Sequence, residues 1–156
     1  MKLMEFIAPD AVLPSLAAET ARAVIDEMVG HLVTIKALAK KDHAKVVEAV
    51  LRREKKGTTG FGNGVAIPHA KHEGIKGVVG LVARSAAGID FASLDREPVR
   101  LFFLLLSNPD QPEQHLKAME HIFRSIKNDH LRRFMCQAST REELVDLLRE
   151  ADEEMG

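Results

Sequence analysis

Leu101-Phe102-Phe103-Leu104-Leu105-Leu106 is the stretch of the chain that decides the fold, because it is a run of large apolar residues with no polar interruption. A strand with one face in water alternates apolar and polar residues, whereas a strand covered on both faces is apolar throughout. The run, which follows Arg100, therefore predicts a strand in the middle of a sheet with helices packed on both sides of it.

Apolar residues recur at helical spacing before and after this run, every three or four positions. Thr20 and Asp42 are residue types that cap helix N-termini, and Ser139 opens a capping box with Glu142. The acidic tail from Glu150 is expected to fray. The predicted helices are therefore 20–33, 42–57, 116–126, 128–138 and one that begins at 139. Shorter apolar segments predict further strands at 11–16, 65–67 and 78–83, and a loop at 107–112.

The composition excludes several classes of protein. The 156 residues are 46% hydrophobic and 29% charged with a formal net charge of −1, which is typical of neither a disordered segment nor a basic nucleic-acid-binding domain. No linker or repeat divides the chain, so we expect a single compact domain over residues 1–156. One cysteine, Cys136, allows no internal disulfide and has the neighbours of a structural thiol.

No apolar segment approaches the roughly 18 residues that a membrane-spanning helix needs, and no secretory signal is present at the start. We therefore expect a cytoplasmic protein without direct membrane insertion. Any role in transport would need a partner that spans the bilayer.

A second distinctive stretch, Thr58-Thr59-Gly60-Phe61-Gly62-Asn63-Gly64-Val65-Ala66-Ile67-Pro68-His69-Ala70-Lys71-His72, places three glycines before a short apolar segment and a proline before a histidine. Glycine lets other atoms approach the backbone closely, so these glycines predict a loop with exposed N–H groups. Pro68 cannot donate to a β-ladder and is expected to end the strand, which puts His69 on a loop at its carboxyl end. Ligands bind at that end of the strands in α/β sheets.

This stretch and two other segments resemble the type-2 (fructose–mannitol class) IIA domains of the bacterial phosphoenolpyruvate-dependent phosphotransferase system, including their nitrogen-regulatory branch. Ala66-Ile67-Pro68-His69-Ala70 is similar to the family's phosphorylation site, which implies that His69 carries the phosphoryl group. Arg53-Glu54 and Thr59 match the family's Arg-Glu and following Thr-Gly, and His115-Leu116-Lys117 matches its second histidine. The resemblance covers nearly the whole chain and implies an α/β fold with a small mixed β-sheet flanked by helices on both faces.

The resemblance also implies the function of a phosphocarrier. In this interpretation His69 accepts a phosphoryl group from a histidine-containing phosphocarrier protein. It then passes the group to a IIB or permease component for sugar uptake, or holds it as a regulatory signal. No cofactor, metal or nucleotide-dependent kinase activity is implied.

The chemistry of the residue types agrees with this interpretation. A neutral imidazole is a nucleophile near pH 7 and, once phosphorylated on nitrogen, a good leaving group. Phosphoryl transfer requires mainly positioned donors and charges from the protein. We expect Arg53, whose guanidinium can bind two phosphoryl oxygens, and a neutral His115 to stabilise the group in transfer. The predicted remainder of the phosphoryl cradle is Thr59 and the N–H groups of Gly60, Gly62 and Gly64.

Two other functions remain open at this point. A purely regulatory binding module, whose phosphorylation state controls what it binds, would use the same residues. A metal-dependent hydrolase could use His69, His72, His115 and His121, although their spacing matches no zinc motif. Nucleotide binding is disfavoured because the glycines precede a strand, whereas a Walker loop opens a helix. The sequence does not separate sugar transport from nitrogen regulation.

Overall fold

The computed structural model describes residues 1–155, which contain six strands and six α-helices. The strands are β1 (Ile7–Leu13), β2 (Gly60–Gly62), β3 (Val65–Ala66), β4 (His69–Lys71), β5 (Val78–Ile89) and β6 (Val99–Ser107). The helices are α1 (Leu3–Phe6), α2 (Ala21–Thr34), α3 (His43–Lys55), α4 (Pro112–Ile126), α5 (Asp129–Gln137) and α6 (Arg141–Met155). Within this part of the chain, none of the helices has the length and apolar character needed to cross a membrane.

The strands form one mixed sheet, as predicted. Its order is β1-β5-β6-β3-β2, and β4 pairs with β6 as well. β5 runs antiparallel to β6, whereas β3 and β4 run parallel to β6 and β1 runs parallel to β5. β6 thus has β5 along one edge and β3 followed by β4 along the other, which makes it the central strand.

The packing of β6 explains why its sequence is apolar throughout. Its even-numbered side chains from Phe102 to Leu106 lie in a core formed with α2 and α3. Its odd-numbered side chains from Leu101 to Leu105 lie in a second core formed with α1, α4, α5 and α6. Each of these six side chains is at most 1% exposed. The predicted strand with helices on both faces is confirmed.

Two of the three predicted helix caps differ from the structure. Thr20 caps α2 as expected, because its Oγ1 accepts a hydrogen bond of 3.2 Å from a backbone N–H in the first turn. Asp42 does not cap α3 with its side chain, since it lies in a 3₁₀ turn, Lys40–Asp42, that leads straight into the helix. The box at the start of α6 lies one residue later than predicted, because Thr140 accepts from the N–H of Glu143 and donates to its carboxylate.

The first strand starts earlier than its predicted range of 11–16. β1 begins at Ile7, directly after α1, and residues 8–10 of the strand are exposed. The register with β5 shifts between Ile7 and Val12. This irregular, exposed half of the strand has no apolar alternation, so its sequence gave no strand signal.

The acidic tail is helical and packed, so the prediction that it frays from Glu150 is wrong. α6 continues to Met155, and Asp152 is only 5% exposed. The Asp152 carboxylate accepts hydrogen bonds from the N–H groups of Leu3 at 2.7 Å and Met4 at 3.0 Å. A carboxylate at the start of α1 accepts hydrogen bonds from its free N–H groups, and its negative charge interacts favourably with the helix dipole. The end of α6 is therefore ordered by its contact with the start of the chain.

Candidate functional site

His69 lies on an edge strand rather than on a loop, so that part of the prediction is wrong. β3 ends at Ala66, which pairs with Phe102, and β4 begins at His69, which pairs with Leu105 of the same strand. Between them the carbonyl of Pro68 accepts a hydrogen bond of 3.0 Å from the N–H of Leu105. Proline lacks only the donor, so the chain keeps its contact with β6 across the interruption.

The His69 ring is oriented by a backbone carbonyl. Its Nδ1 lies 2.8 Å from the carbonyl oxygen of Ile67. A carbonyl oxygen can only accept, so Nδ1 carries the proton and Nε2 of the neutral ring has the free lone pair. Burial lowers the pKa of His69, the charges of Arg53 and Lys71 lower it further, and the bond to Ile67 acts in the opposite direction. The neutral ring therefore presents Nε2 as its nucleophilic atom.

A second imidazole lies beside the first. His115 is in the first turn of α4, and its ring centroid is 5.7 Å from that of His69. Its Nδ1 lies 2.6 Å from Oγ of Ser107, a fully buried residue. Burial lowers the pKa of His115 to about 4, and the charges of His69 and Lys71 act in the same direction. His115 is therefore neutral at pH 7.

Ser107 is a site residue that the sequence analysis missed. It was assigned to a loop, but it is the last residue of β6. Its hydroxyl can donate to Nδ1 of His115, and this bond would leave the proton of the neutral ring on Nε2. The available signal was its position as the first polar residue after the apolar run, eight residues before the histidine.

Arg53 lines the same cavity as the two histidines. The cavity has a volume of about 490 Å³. Nη1 of Arg53 donates a hydrogen bond of 2.9 Å to the Gly57 carbonyl, which holds the guanidinium at the end of α3. Four of the eight lining residues are Arg or Lys and none is Asp or Glu, so the cavity attracts anions. The lining consists of Ala49, Arg52, Arg53, Lys56, His69, Ala70, Lys71 and His115.

Thr59 and Glu54 connect α3 to the segment that holds His69. Thr59 is fully buried; its N–H donates to Glu54 Oε2 at 3.1 Å and its hydroxyl donates to Oε1. The carbonyl of Thr59 accepts from the N–H of Ile67 at 3.1 Å. Burial raises the pKa of Glu54, and the bonds from Thr59 and the charge of Arg53 act in the opposite direction. Thr59 therefore positions the site rather than lining it.

The three glycines form a hairpin next to the site. Gly62, the last residue of β2, and Gly64, in the turn before β3, have positive φ values of 107° and 77°. A Cβ on Gly60 would lie 2.4 Å from Oγ of Ser93, so this position requires close approach. The N–H of Gly60 donates to Thr58 Oγ1. Among the described residues, the cavity lining includes none of the three. The site that the structure brings together thus consists of His69, His115 and Arg53 without the glycine N–H groups.

The metal-hydrolase alternative receives no support. In residues 1–155, no group of three or more His, Cys, Asp or Glu side chains is placed to hold a metal ion. Nδ1 of His72 accepts from the N–H of Gly74 at 2.9 Å. His121 lies on α4 six residues after His115, where burial lowers its pKa and the charge of the amino terminus lowers it further. Neither His72 nor His121 lines the cavity around His69.

Comparison with known proteins identifies the family of the chain. A family model described as "Phosphoenolpyruvate-dependent sugar phosphotransferase system, EIIA 2" matches residues 5–151. The chain belongs to this family. This EIIA 2 domain is 37% identical over 131 residues to a nitrogen regulatory protein of Bradyrhizobium diazoefficiens, with 84% of each chain covered. It is 35% identical over 112 residues to a phosphotransferase-system fructose-specific EIIA component of Haloferax volcanii, with 72% of this chain and 73% of that one covered.

A solved structure supports the same assignment. The crystal structure of nitrogen regulatory protein IIA-Ntr from Neisseria meningitidis matches the EIIA 2 domain with a TM-score of 0.82 and 28% identity, covering 92% of this chain and 97% of that one. The family contains both sugar-transport and nitrogen-regulatory members. Both a phosphocarrier role and a regulatory role therefore fit this EIIA 2 domain.

Proposed function

We propose that His69 Nε2 is the phosphoryl acceptor of this EIIA 2 domain, that a histidine-containing phosphocarrier protein is its donor, and that a IIB component is its acceptor. The observation that carries the proposal is the 2.8 Å hydrogen bond from His69 Nδ1 to the Ile67 carbonyl. It leaves the nucleophilic Nε2 free in a cavity lined by cations and by a second imidazole.

In the transfer step the phosphoryl group moves from one imidazole to another. The Nε2 lone pair of His69 forms an N–P bond while the N–P bond to the donor histidine breaks and its electron pair returns to the donor ring. The proton on Nδ1 stays on the bond to Ile67, so the phosphorylated ring is positively charged and remains a good leaving group for the next transfer. A nucleotide is not consumed, so the domain needs no kinase activity of its own.

Arg53 and His115 stabilise the phosphoryl group as it moves. The guanidinium can bind two phosphoryl oxygens in its planar fork. His115, with its Nδ1 bonded to Ser107, donates its Nε2–H to a third oxygen. Because both groups are held before the partner arrives, little reorganisation is needed during transfer. Lys56 and Lys71 add to the positive potential of the cavity.

An exposed apolar side chain next to His115 offers a surface for the partner. Leu116, next to His115, is 60% exposed, which is unusual for a large apolar side chain. We expect this side chain to be covered when a carrier protein binds over His69. The exchange then takes place in the cytoplasm, and a membrane is reached only through a permease component.

A purely regulatory role is the second candidate, and the nitrogen-regulatory relatives favour it. A phosphoryl group brings about two negative charges into a cavity lined by four cations. Phosphorylation would thus neutralise about half of the positive charge that a target protein meets there. In this role the phosphorylated and unphosphorylated forms bind different partners.

Reconstitution tests the proposal. The domain is incubated with labelled phosphoenolpyruvate, enzyme I and the histidine phosphocarrier protein, and the product is examined by ¹⁵N NMR. We expect label on His69 Nε2, none in His69→Ala, and none from ATP alone, whereas the His72→Ala control is labelled normally. Label retained in His69→Ala would disprove the assignment.

The two branches separate in a second step. Addition of a fructose-class IIB protein removes the label if the domain serves transport. Persistence of the label, together with phosphorylation-dependent capture of a regulatory target, indicates the regulatory role.

A further inference from the structure

Glu54 is the residue of α3 that follows Arg53, and the proposed transfer step assigns it no role. Within residues 1–155, it is not among the side chains that line the cavity around His69. Its hydrogen-bond partner lies instead in the linker of residues 56–59, which joins α3 to β2. Any effect of Glu54 on the transfer must therefore act through this linker.

Arg53 and Glu54 both hold the linker from the end of α3. Nη1 of Arg53 donates a hydrogen bond of 2.9 Å to the carbonyl of Gly57. Oε2 of Glu54 accepts from the N–H of Thr59 at 3.1 Å, and its Oε1 accepts from the Thr59 hydroxyl. The guanidinium and the carboxylate thus bind the same short segment, one as a donor and one as an acceptor. The orientation of the Arg53 side chain therefore depends on the position of a linker that Glu54 fixes.

The linker is connected by hydrogen bonds to the ring of His69. The carbonyl of Thr59 accepts from the N–H of Ile67 at 3.1 Å. The carbonyl of Ile67 in turn accepts from Nδ1 of His69 at 2.8 Å. Thr59 and Ile67 are both fully buried, so water does not replace these bonds. The acceptor that orients the nucleophilic ring is therefore held in place by Glu54 through Thr59.

We propose that Glu54 is a positioning residue for phosphoryl transfer, which sets the placement of the Arg53 guanidinium relative to Nε2 of His69 by binding Thr59 with both carboxylate oxygens. This inference rests on the proposed function of His69. Glu54 does not touch the phosphoryl group, since it acts through Arg53 and through the carbonyl of Ile67. A displacement of about 1 Å in the groups around a reacting centre can slow a reaction by roughly 10²-fold.

Two variants separate the reach of this side chain from its charge. Glu54→Gln keeps the length, because its amide oxygen can accept from the Thr59 N–H while its amide nitrogen donates to the Thr59 hydroxyl oxygen, which accepts as well as donates. Glu54→Asp keeps the charge but is one methylene shorter and cannot reach both donors. We expect a near-normal transfer rate in Glu54→Gln and a loss of roughly 10–10²-fold in Glu54→Asp. Glu48→Asp is the matched control, because Glu48 is an exposed residue of the same helix that pairs with Arg22.

Rapid-quench measurement of transfer from the histidine phosphocarrier protein gives these rates, and thermal melts check that each variant is folded. The loss in Glu54→Asp should appear in the rate at saturating donor, with little change in the donor concentration needed for half-saturation. All variants should still be labelled fully on His69 after long incubation. Failure of the unaltered domain to be labelled would contradict the assignment of His69, which is distinguishable from failure of the role of Glu54.

NMR gives a readout that a general loss of stability would not produce. In Glu54→Asp the Nδ1 proton of His69 should exchange faster with water, whereas neutral His115 should keep its proton on Nε2, because Ser107 and not the linker fixes it. The loss of rate should also be smaller when Arg53 is already replaced by alanine, since Glu54 acts partly through Arg53. A normal rate in folded Glu54→Asp, equal losses in Glu54→Gln and Glu54→Asp, or an undiminished loss in the Arg53→Ala background would each overturn the proposal.

Discussion

His69 and His115 are neutral imidazoles in a cavity whose other charged residues are cations. Burial and the neighbouring positive charges both disfavour protonation of these two rings, so the pKa of each is lowered. This keeps His69 nucleophilic and His115 a hydrogen-bond donor without a second positive charge. At the scale of the residue, protonation is therefore the property on which the site depends most.

The lowered pKa of His115 predicts a pH dependence of stability. Its pKa is about 4 in the folded chain against an ordinary value of 6.5, so the unfolded chain binds more protons between these two pH values. The contribution of neutral His115 to the free energy of unfolding is fully present above pH 7. It is lost as the pH drops through this window, by up to about 2 kcal/mol between pH 7 and 5. Urea denaturation at the two pH values measures it. His115→Ala should reduce the fall, and an unchanged fall would contradict the lowered pKa.

His115 and Ser107 should affect transfer to different extents. His115→Ala removes a positioned donor and should slow phosphoryl transfer by roughly 10²–10³-fold. Ser107→Ala keeps the imidazole but no longer fixes which of its nitrogens carries the proton, so we expect a smaller loss of transfer rate. ¹⁵N NMR should show the proton of neutral His115 shifting from Nε2 toward Nδ1 in Ser107→Ala. Ser139→Ala, at an exposed position, is the control, and an unaltered tautomer in Ser107→Ala would remove its assigned role.

Arg53 should not be replaceable by lysine. A point charge cannot reproduce the fork that binds two phosphoryl oxygens, so Arg53→Lys should slow transfer nearly as much as Arg53→Ala. Arg52→Lys is the matched control, because Arg52 lines the same cavity and has no hydrogen bond to another residue within 1–155. Rapid-quench transfer rates in both directions measure the effect. Near-normal rates in Arg53→Lys would show that the residue supplies only charge.

The elements of the fold differ in how well their sequences predicted them. β6 was predicted because burial on both faces makes every residue apolar. β4 was not, because it is three residues long and follows a proline that keeps its carbonyl in the ladder. The end of α6 was also missed, since an acidic sequence gives no sign that one carboxylate, Asp152, caps a distant helix. Contacts between segments that are distant in the sequence cannot be predicted from local sequence patterns.

The bonds of Asp152 to the start of α1 should contribute measurably to the stability of the domain. Asp152→Ala removes the acceptor of the Leu3 and Met4 N–H groups and should cost about 0.5–2 kcal/mol, as the loss of other helix N-caps does. Hydrogen exchange at these two amides should become faster, whereas His69 should still be phosphorylated. Glu153→Ala changes the neighbouring, exposed carboxylate and should have little effect. Equal destabilisation by both would assign the loss to helix charge rather than to the cap.

For the whole molecule, the sequence predicted the mixed sheet between two helical layers and the three residues His69, His115 and Arg53 that share one cavity. These follow from an apolar run and from motifs that match a family. The glycine segment has the unusual backbone geometry that its composition indicates, but composition alone does not indicate where its N–H groups point. The role of Ser107 depends on packing between α4 and the sheet, which no single segment encodes.

The contact of α1 with the end of α6 places the two ends of the described chain side by side. If the molecule is pulled by its ends, as between an optical trap and a surface, the load acts first on this contact. The two Asp152 bonds would break one after the other, and α6 would peel from the sheet before any strand pair is sheared. The domain should therefore yield at low force, even though its central strand is buried on both faces.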